Sequence, residues 1–408
     1  MNARSVRPGY AAPWTPLKNT GHYRRPPQTL PARAASLGFL LCLICACSGH
    51  VGADPAAAPA REDRSGSDGE KVLNVYSWAD YIAPDTVSNF EKETGIKVHY
   101  DVFDNNEVLE TKLLSGHSNY DVVVPTDIFF DRQREAGVYR KLDKQALPNL
   151  ANVDPEIARR MAEHDPGNEY AIPYMWSTTG LGYNTDLVGK RLGGKIPDGW
   201  ALLFDPQNAA KLQDCGILIV DSPLDVFASA LIYLHRDPRR QDPQDLLAAA
   251  ALLRTIRPYV RNIVPEVTAP LASGEACLEL AWSGDVEAAQ NRAIEAATGA
   301  RIAYLIPREG AFTTIDMVSI PADAPHPHNA EIWMNYLMRP DVIAAISNYI
   351  RYPNGISASL PLVDADVRAD PAVYPDAATR ARLVSTAPVP LNYSRLMTRA
   401  WSRFRMGQ

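Results

Sequence analysis

Cysteine is scarce in this chain, with five among 408 residues, and three of those (Cys42, Cys45, Cys47) fall within the first 47. Beyond them only Cys215 and Cys277 remain, and they form no Cys-x-x-Cys pair, which argues against a thiol-redox role. The chain has no Gly-x-x-x-x-Gly-Lys-Ser/Thr loop to cradle a triphosphate, so it is not expected to hydrolyse ATP. It also lacks the Gly-x-Ser-x-Gly elbow of serine hydrolases. His326-Pro327-His328 reads as a Pro-rich turn, because no further metal ligands follow at regular spacing. No metal and no cofactor are expected. After the N-terminal region no run is long and apolar enough to cross a bilayer as a helix.

Acidic residues are missing from the first 47 positions, which carry six basic ones: Arg4, Arg7, Lys18, Arg24, Arg25 and Arg33. These lead into the apolar run Leu37 to Ala46, too short for a transmembrane span but suited to a signal peptide. Ile44-Cys45-Ala46-Cys47 resembles a lipoprotein signal, which would make Cys47 an acylated N-terminus; ordinary cleavage nearby is the alternative. Either way the protein is expected in the periplasm. Losing the six cations moves the net charge from −6 to −12. Such a chain is a poor partner for nucleic acid and a reasonable one for cations. Residues 48–70, rich in Ala, Pro, Gly and Ser, read as a linker.

Two segments set an aromatic ring beside a carboxylate just past a strand-like run. They are Trp78-Ala79-Asp80-Tyr81 after Val72 to Tyr76, and Trp282-Ser283-Gly284-Asp285 after Cys277 to Ala281. A ring face attracts an ammonium and its methylenes, and the carboxylate neutralises the charge. No nucleophile–base pair accompanies either segment. Read singly, each residue also has a structural role: a Trp fills a core, and Asp85 or Asp285 caps a helix. Asp316, inside Thr313-Thr314-Ile315-Asp316-Met317-Val318, is harder to dismiss, since a charge in an apolar strand needs a partner.

Strand-like and helical runs alternate from Lys71: strands at Val72 to Tyr76, Ile96 to Val102 and Tyr120 to Pro125, with helices at Asp85 to Thr94 and Asn106 to Leu114 between them. Further strands are expected at Ile217 to Val220, Cys277 to Ala281 and Ile302 to Ile306, with helices at Leu246 to Ile256 and Ala288 to Ala297. This order predicts an α/β protein of two lobes, each a mainly parallel sheet flanked by helices. Ligands in such sheets sit beyond the carboxyl ends of strands, where both aromatic–acid segments and Pro125-Thr126-Asp127 fall. Crossings between lobes are expected near Ala171 to Tyr174 and at Ile306-Pro307. Cys215 and Cys277 both open apolar runs and could lie on neighbouring strands; an even number of cysteines in an oxidising compartment favours a disulfide, with two buried thiols as the alternative.

Several longer stretches resemble the periplasmic putrescine-binding proteins, the polyamine-binding branch of the solute receptors of ABC transporters. They are Asn74 to Asp85, Phe90 to Val98, Pro173 to Trp176, Trp282 to Asp285, Met338 to Val342 and Thr398 to Trp401, and the likeness runs from about Lys71 to the C-terminus. The resemblance implies a type II periplasmic binding protein fold that closes on a ligand in the inter-lobe cleft. Residues 71–174 with 308–358 would form the first lobe, and 175–307 with 359–408 the second. It implies that Trp78, Tyr81, Trp282 and Tyr352 enclose an aliphatic diamine and that Asp285 and Asp316 grip its ammonium groups, with Asp80 in the matching first segment. It implies that Cys215 and Cys277 form a disulfide. Asp225 stands for a glutamate of the family and Thr126 for a serine. Ala79 replaces a serine, Thr314 an aromatic ring, and Asp127 a small neutral residue, which would suit the third ammonium of spermidine.

The expected function is therefore a monomeric receptor that binds putrescine or a relative (spermidine, cadaverine, agmatine) and delivers it to an inner-membrane ABC permease, without catalysis. A polyamine-sensing receptor feeding a signalling partner is the alternative. Two further readings are weaker: a periplasmic enzyme would need a nucleophilic cysteine, and ferric binding through Tyr349, Tyr352 and Tyr374 suits the carboxylate–tryptophan pattern less well.

Overall fold

The computed structural model describes residues 69–265, 267–385 and 388–408. The signal segment, Cys47 and most of the 48–70 linker lie outside the described residues. Ten strands form one sheet: β1 (Val72–Trp78), β2 (Lys97–Phe103), β3 (Val122–Val123), β4 (Ala171–Asn184), β5 (Ile217–Val220), β6 (Asn262–Val264), β7 (Leu278–Trp282), β8 (Ile302–Leu305), β9 (Ala311–Ser319) and β10 (Leu383–Val384). The order is β2-β1-β3-β9-β4-β7-β5-β6, with β8 beside β4 and β10 beside β9.

Each lobe has the expected parallel heart. In the first, β1 lies parallel between β2 and β3; in the second, β5 lies parallel between β6 and β7. The expectation of mainly parallel sheets needs one correction, because β4 and β9 run antiparallel to each other and to β7 and β3. They do so because they are the strands that pass between lobes. β4 pairs with β9 from Ala171 to Thr179 and with β7 and β8 from Thr179 to Asn184. Ile306-Pro307 is not a crossing: it lies in the turn before β9, which Arg308 N–H ties to Asp198 C=O (3.0 Å).

Separate hydrophobic cores mark the lobes. Leu73, Val75, Phe90, Val122 and Trp333 pack on one face of the first, and Phe103, Leu109, Phe130 and Met161 on the other. Leu181, Ile219, Leu280, Phe227 and Trp401 belong to the core of the second. Val363, Val367 and Val373 pack on Ala344 of the first-lobe helix Pro340–Ile350, so the chain does not return to the second core at 359. It rejoins that core with the helix Leu391–Arg405.

The ladder between β4 and β9 breaks between Pro173 and Trp176. Proline has no N–H to donate, and the break admits a third segment. There Gly355 N–H donates to Tyr174 C=O (2.9 Å) and Trp176 N–H to Pro353 C=O (2.9 Å). A Cβ at Gly355 would lie 2.5 Å from Cβ of Pro173, so glycine permits this approach. The break thereby fixes Tyr352 at the mouth between the lobes. Asp85 occupies the N-cap position of the helix Thr86–Thr94, yet its carboxylate accepts from Asn89 Nδ2 (3.2 Å) instead of capping.

Cys215 is bonded to Cys277, closing a separation of 62 residues in the second lobe. Replacing both cysteines with alanine should lower the free energy of unfolding by roughly 2–4 kcal/mol. A urea midpoint unchanged from wild type would show that the crosslink adds nothing.

Candidate functional site

At the end of β1 the chain turns sharply, with Asp80 in the left-handed region (φ 52°). Trp78 stays on the sheet, its ring 4.7 Å from Phe103, while Ala79 and Asp80 are exposed at the rim. Tyr81 returns to the interior. Its backbone carbonyl accepts from Tyr174 Oη (2.7 Å), and its own hydroxyl donates to Asp316 Oδ2 (2.7 Å). Thr126, just past β3, donates to the other oxygen, Asp316 Oδ1 (2.7 Å). Asn106 fixes Thr126 in turn, donating from Nδ2 to Oγ1 (3.0 Å) and accepting from Thr126 N–H (3.1 Å).

Asp316 is thus a charged group in β9 held by two hydroxyls, with no cation beside it among the described residues. Burial raises its pKa to about 7, against the two hydrogen bonds, and the charge of Asp127 pushes the same way as burial. Tyr81 titrates well above its ordinary value, chiefly through burial, so it remains a donor.

Asp127 does not reach this pocket, contrary to the expectation that it serves a third ammonium. Its carboxylate is 1% exposed and accepts from Ile128 N–H (2.8 Å) and Ile315 N–H (3.0 Å). Behind it His164 Nε2 stands at 3.9 Å, while His164 Nδ1 is 2.6 Å from Asp131. A residue at the start of the helix Asp127–Glu135, with its own backbone to cap, turns inward. Burial raises its pKa to about 6, with His164 pulling it down. Burial lowers the pKa of His164, but Asp131 and Asp127 more than offset that and leave it raised.

The second lobe contributes the end of β7. Trp282 Nε1 donates to Asp225 Oδ1 (3.1 Å), and the hydroxyls of Ser222 and Thr179 also donate to Asp225. With three donors and 4% exposure, Asp225 is an anchor for the indole ring. Asp285 does not cap the helix Ser283–Glu295; it sits in the first turn and accepts from Tyr352 Oη. Thr314 lies half-buried on β9, 3.3 Å from Ser177 Oγ.

Tyr352 joins the two halves. Its ring meets Tyr81 edge-on at 5.1 Å and 86° while its hydroxyl reaches Asp285. It lies directly on Gly284, where a Cβ would stand 1.5 Å from Tyr352 Cε2. Arg351, the preceding residue, reaches the same helix through Glu287 (3.2 Å), which is otherwise buried.

The structure therefore gathers Tyr81, Thr126, Asp316, Tyr352 and Asp285 in one place and pairs Trp282 with Asp225. It leaves Ala79 and Asp80 at the rim and Asp127 behind β9. Asn106, Thr179 and Ser222 carry no sequence signal, since each works by positioning a neighbour; Tyr174 lies in a stretch that resembles the family, without a role of its own. Gly284 belongs to the segment Trp282-Ser283-Gly284-Asp285, but only the fold shows which ring needs its missing side chain.

Residues 85–375 match the family of bacterial extracellular solute-binding proteins. The chain is 46% identical over 342 residues to the putrescine-binding periplasmic protein PotF of Escherichia coli, covering 83% of this chain and 92% of that protein. It is likewise 46% identical over 340 residues to the putrescine-binding periplasmic protein SpuD of Pseudomonas aeruginosa, covering 83% and 93%. Among solved structures it is similar to the spermidine/putrescine ABC transporter substrate-binding protein PotD from Streptococcus pneumoniae. That match has a TM-score of 0.72 at 24% identity over 82% of this chain and 99% of the other, a likeness of fold.

Gly284→Ala should push the Tyr352 ring off its seat, breaking the Tyr352–Asp285 bond and parting the lobes. Small-angle scattering should then give a larger radius of gyration; an unchanged profile would remove Tyr352 as the connecting contact. For Asp316, a raised carboxyl pKa means that the folded state favours the proton. Its destabilising effect is absent below the ordinary value of 3.8 and grows as pH rises towards about 7. Asp316→Asn should therefore raise the melting temperature of the ligand-free protein at pH 8 and leave it unchanged near pH 4. A lower melting temperature at pH 8 would overturn this reading.

Proposed function

The chain belongs to the bacterial extracellular solute-binding proteins, and from that premise we propose that it captures putrescine or a closely related diamine between its lobes and delivers it to an inner-membrane ABC permease. It acts in the periplasm as a monomer, carries out no bond chemistry and needs no cofactor; an acylated Cys47 would tether it to the membrane. The lobes move about three crossings, namely β4, β9 and the segment containing β10.

The observation that supports this reading most is the Asp316 carboxylate, half-buried beside the Tyr81 ring, with hydroxyls on both oxygens and no cation beside it among the described residues. An ammonium supplies the missing positive charge. Each charge-assisted hydrogen bond contributes roughly 1.5–3 kcal/mol net, and each ring face about 0.5–2 kcal/mol. Asp316 would hold one ammonium and Asp285 the other, with Trp78, Tyr81, Trp282 and Tyr352 along the methylenes. Asp225 would act through Trp282, and Ala79, Asp80 and Thr314 would line the entrance. With Asp127 turned inward, the pocket suits two ammonium groups better than three.

Titration calorimetry should show putrescine, cadaverine or agmatine binding more tightly than spermidine. Asp316→Asn should weaken the preferred ligand at least about tenfold. No heat with any of the four amines would remove the polyamine reading, and unchanged affinity in Asp316→Asn would remove that carboxylate from it.

A further inference from the structure

The helix Leu391–Arg405 buries Tyr393, Met397, Trp401 and Phe404 against the second lobe. Its other side is unusual for a chain with this excess of acid. Arg395, Arg399 and Arg403 follow one another at four-residue spacing and so form a single exposed stripe. None has a carboxylate partner among the described residues, and the helix itself contains no acidic side chain; only Arg405 is paired, with Asp221 at 3.0 Å. Like charges at this spacing destabilise a helix. The helix dipole accounts for cations in the last turn, such as Arg403 and Arg405, but not for Arg395 and Arg399.

Apolar side chains stand among these arginines. Leu391 is 63% exposed, Leu396 39% and Met406 64%, and at 100° per residue all three project within the outward arc that carries the arginine stripe. Arg254 of the neighbouring helix Pro243–Ile256 borders a recess shared with Gly407 and Gln408, which extends the positive surface past the helix end. Solubility does not call for unpaired arginines interleaved with exposed leucine. An anionic bilayer surface meets both features, since headgroup phosphates take the guanidinium groups and the acyl boundary takes the apolar side chains.

We propose that the outward face of the helix Leu391–Arg405 is a docking surface for anionic phospholipid, through which the receptor lies against the membrane independently of any acyl anchor. The acidity of the rest of the molecule would then orient it, because the bilayer repels every other face.

The test uses the full chain with Cys47→Ser, so that no acyl group contributes, and sedimentation with phosphatidylcholine vesicles containing about a third phosphatidylglycerol. Wild-type side chains should bind these vesicles at low salt, release at high salt and ignore pure phosphatidylcholine. The triple change Arg395→Gln, Arg399→Gln, Arg403→Gln should lose roughly a hundredfold in vesicle affinity. Putrescine titration of the same variant reports whether it is folded. Leu391→Ser with Leu396→Ser, which keeps the charge, should also weaken binding. Equal sedimentation of wild type and triple variant, or equal binding to neutral and anionic vesicles, overturns the proposal. So does a triple variant that binds vesicles normally but fails to stimulate the reconstituted permease, which would assign the face to a protein partner.

Discussion

A half-buried carboxylate with no cation beside it among the described residues is the constraint around which the candidate site is arranged. Asp316 sits in a central strand of the sheet, and two hydroxyls stand in for part of its lost solvent. Each of those hydroxyls is itself held: Thr126 by Asn106, and Tyr81 through the contact of its carbonyl with Tyr174. Withdrawing that charge from solvent costs the ligand-free protein free energy, and under the proposed function a bound ammonium would offset it, so selectivity for positive charge and marginal local stability would share one origin. Asp225 shows the other solution. With three donors spread over its two oxygens it needs no cation, and it serves geometry instead of charge.

The path of the backbone brings these groups together. Tyr81 follows β1, Thr126 follows β3 and Trp282 ends β7, so three strand ends of two lobes face one cleft. Asp316 comes from a crossing strand, and Tyr352 enters only because the β4 ladder fails at Pro173. Glycine does the remaining work at Gly284 and Gly355, where neighbouring rings approach closer than any side chain would allow.

Much of this was legible beforehand where hydrophobic pattern and local structure agree. Ile217–Val220 and Asn106–Leu114 have the bounds expected of them, because a continuous apolar run and a helical pattern bounded by polar residues leave little choice. The aromatic–acid segments also pointed to the right strand ends. Around Asp316 the sequence shows an apolar strand, but not that β9 runs from the second core at Phe312 to both faces of the first at Ile315, Met317 and Val318. Asp127 follows a strand and Asp316 lies within one, and composition cannot say which faces the cleft. The difference lies in backbone N–H groups, those of Ile128 and Ile315, that become available only in three dimensions. The roles of Asn106, Thr179 and Ser222 are invisible for the same reason.

The shared sheet has a mechanical consequence. Because β4 and β9 occupy the middle of the sheet, with the other strands on either side, a modest twist of that central pair would be multiplied by distance. In such a twist the residues beside the pivot, Asp316 among them, would shift least and the outermost strands β2 and β6 most. Under the proposed function, a small molecule held beside that pivot would alter the outer surface far more than its own surroundings, and so would be reported there by leverage.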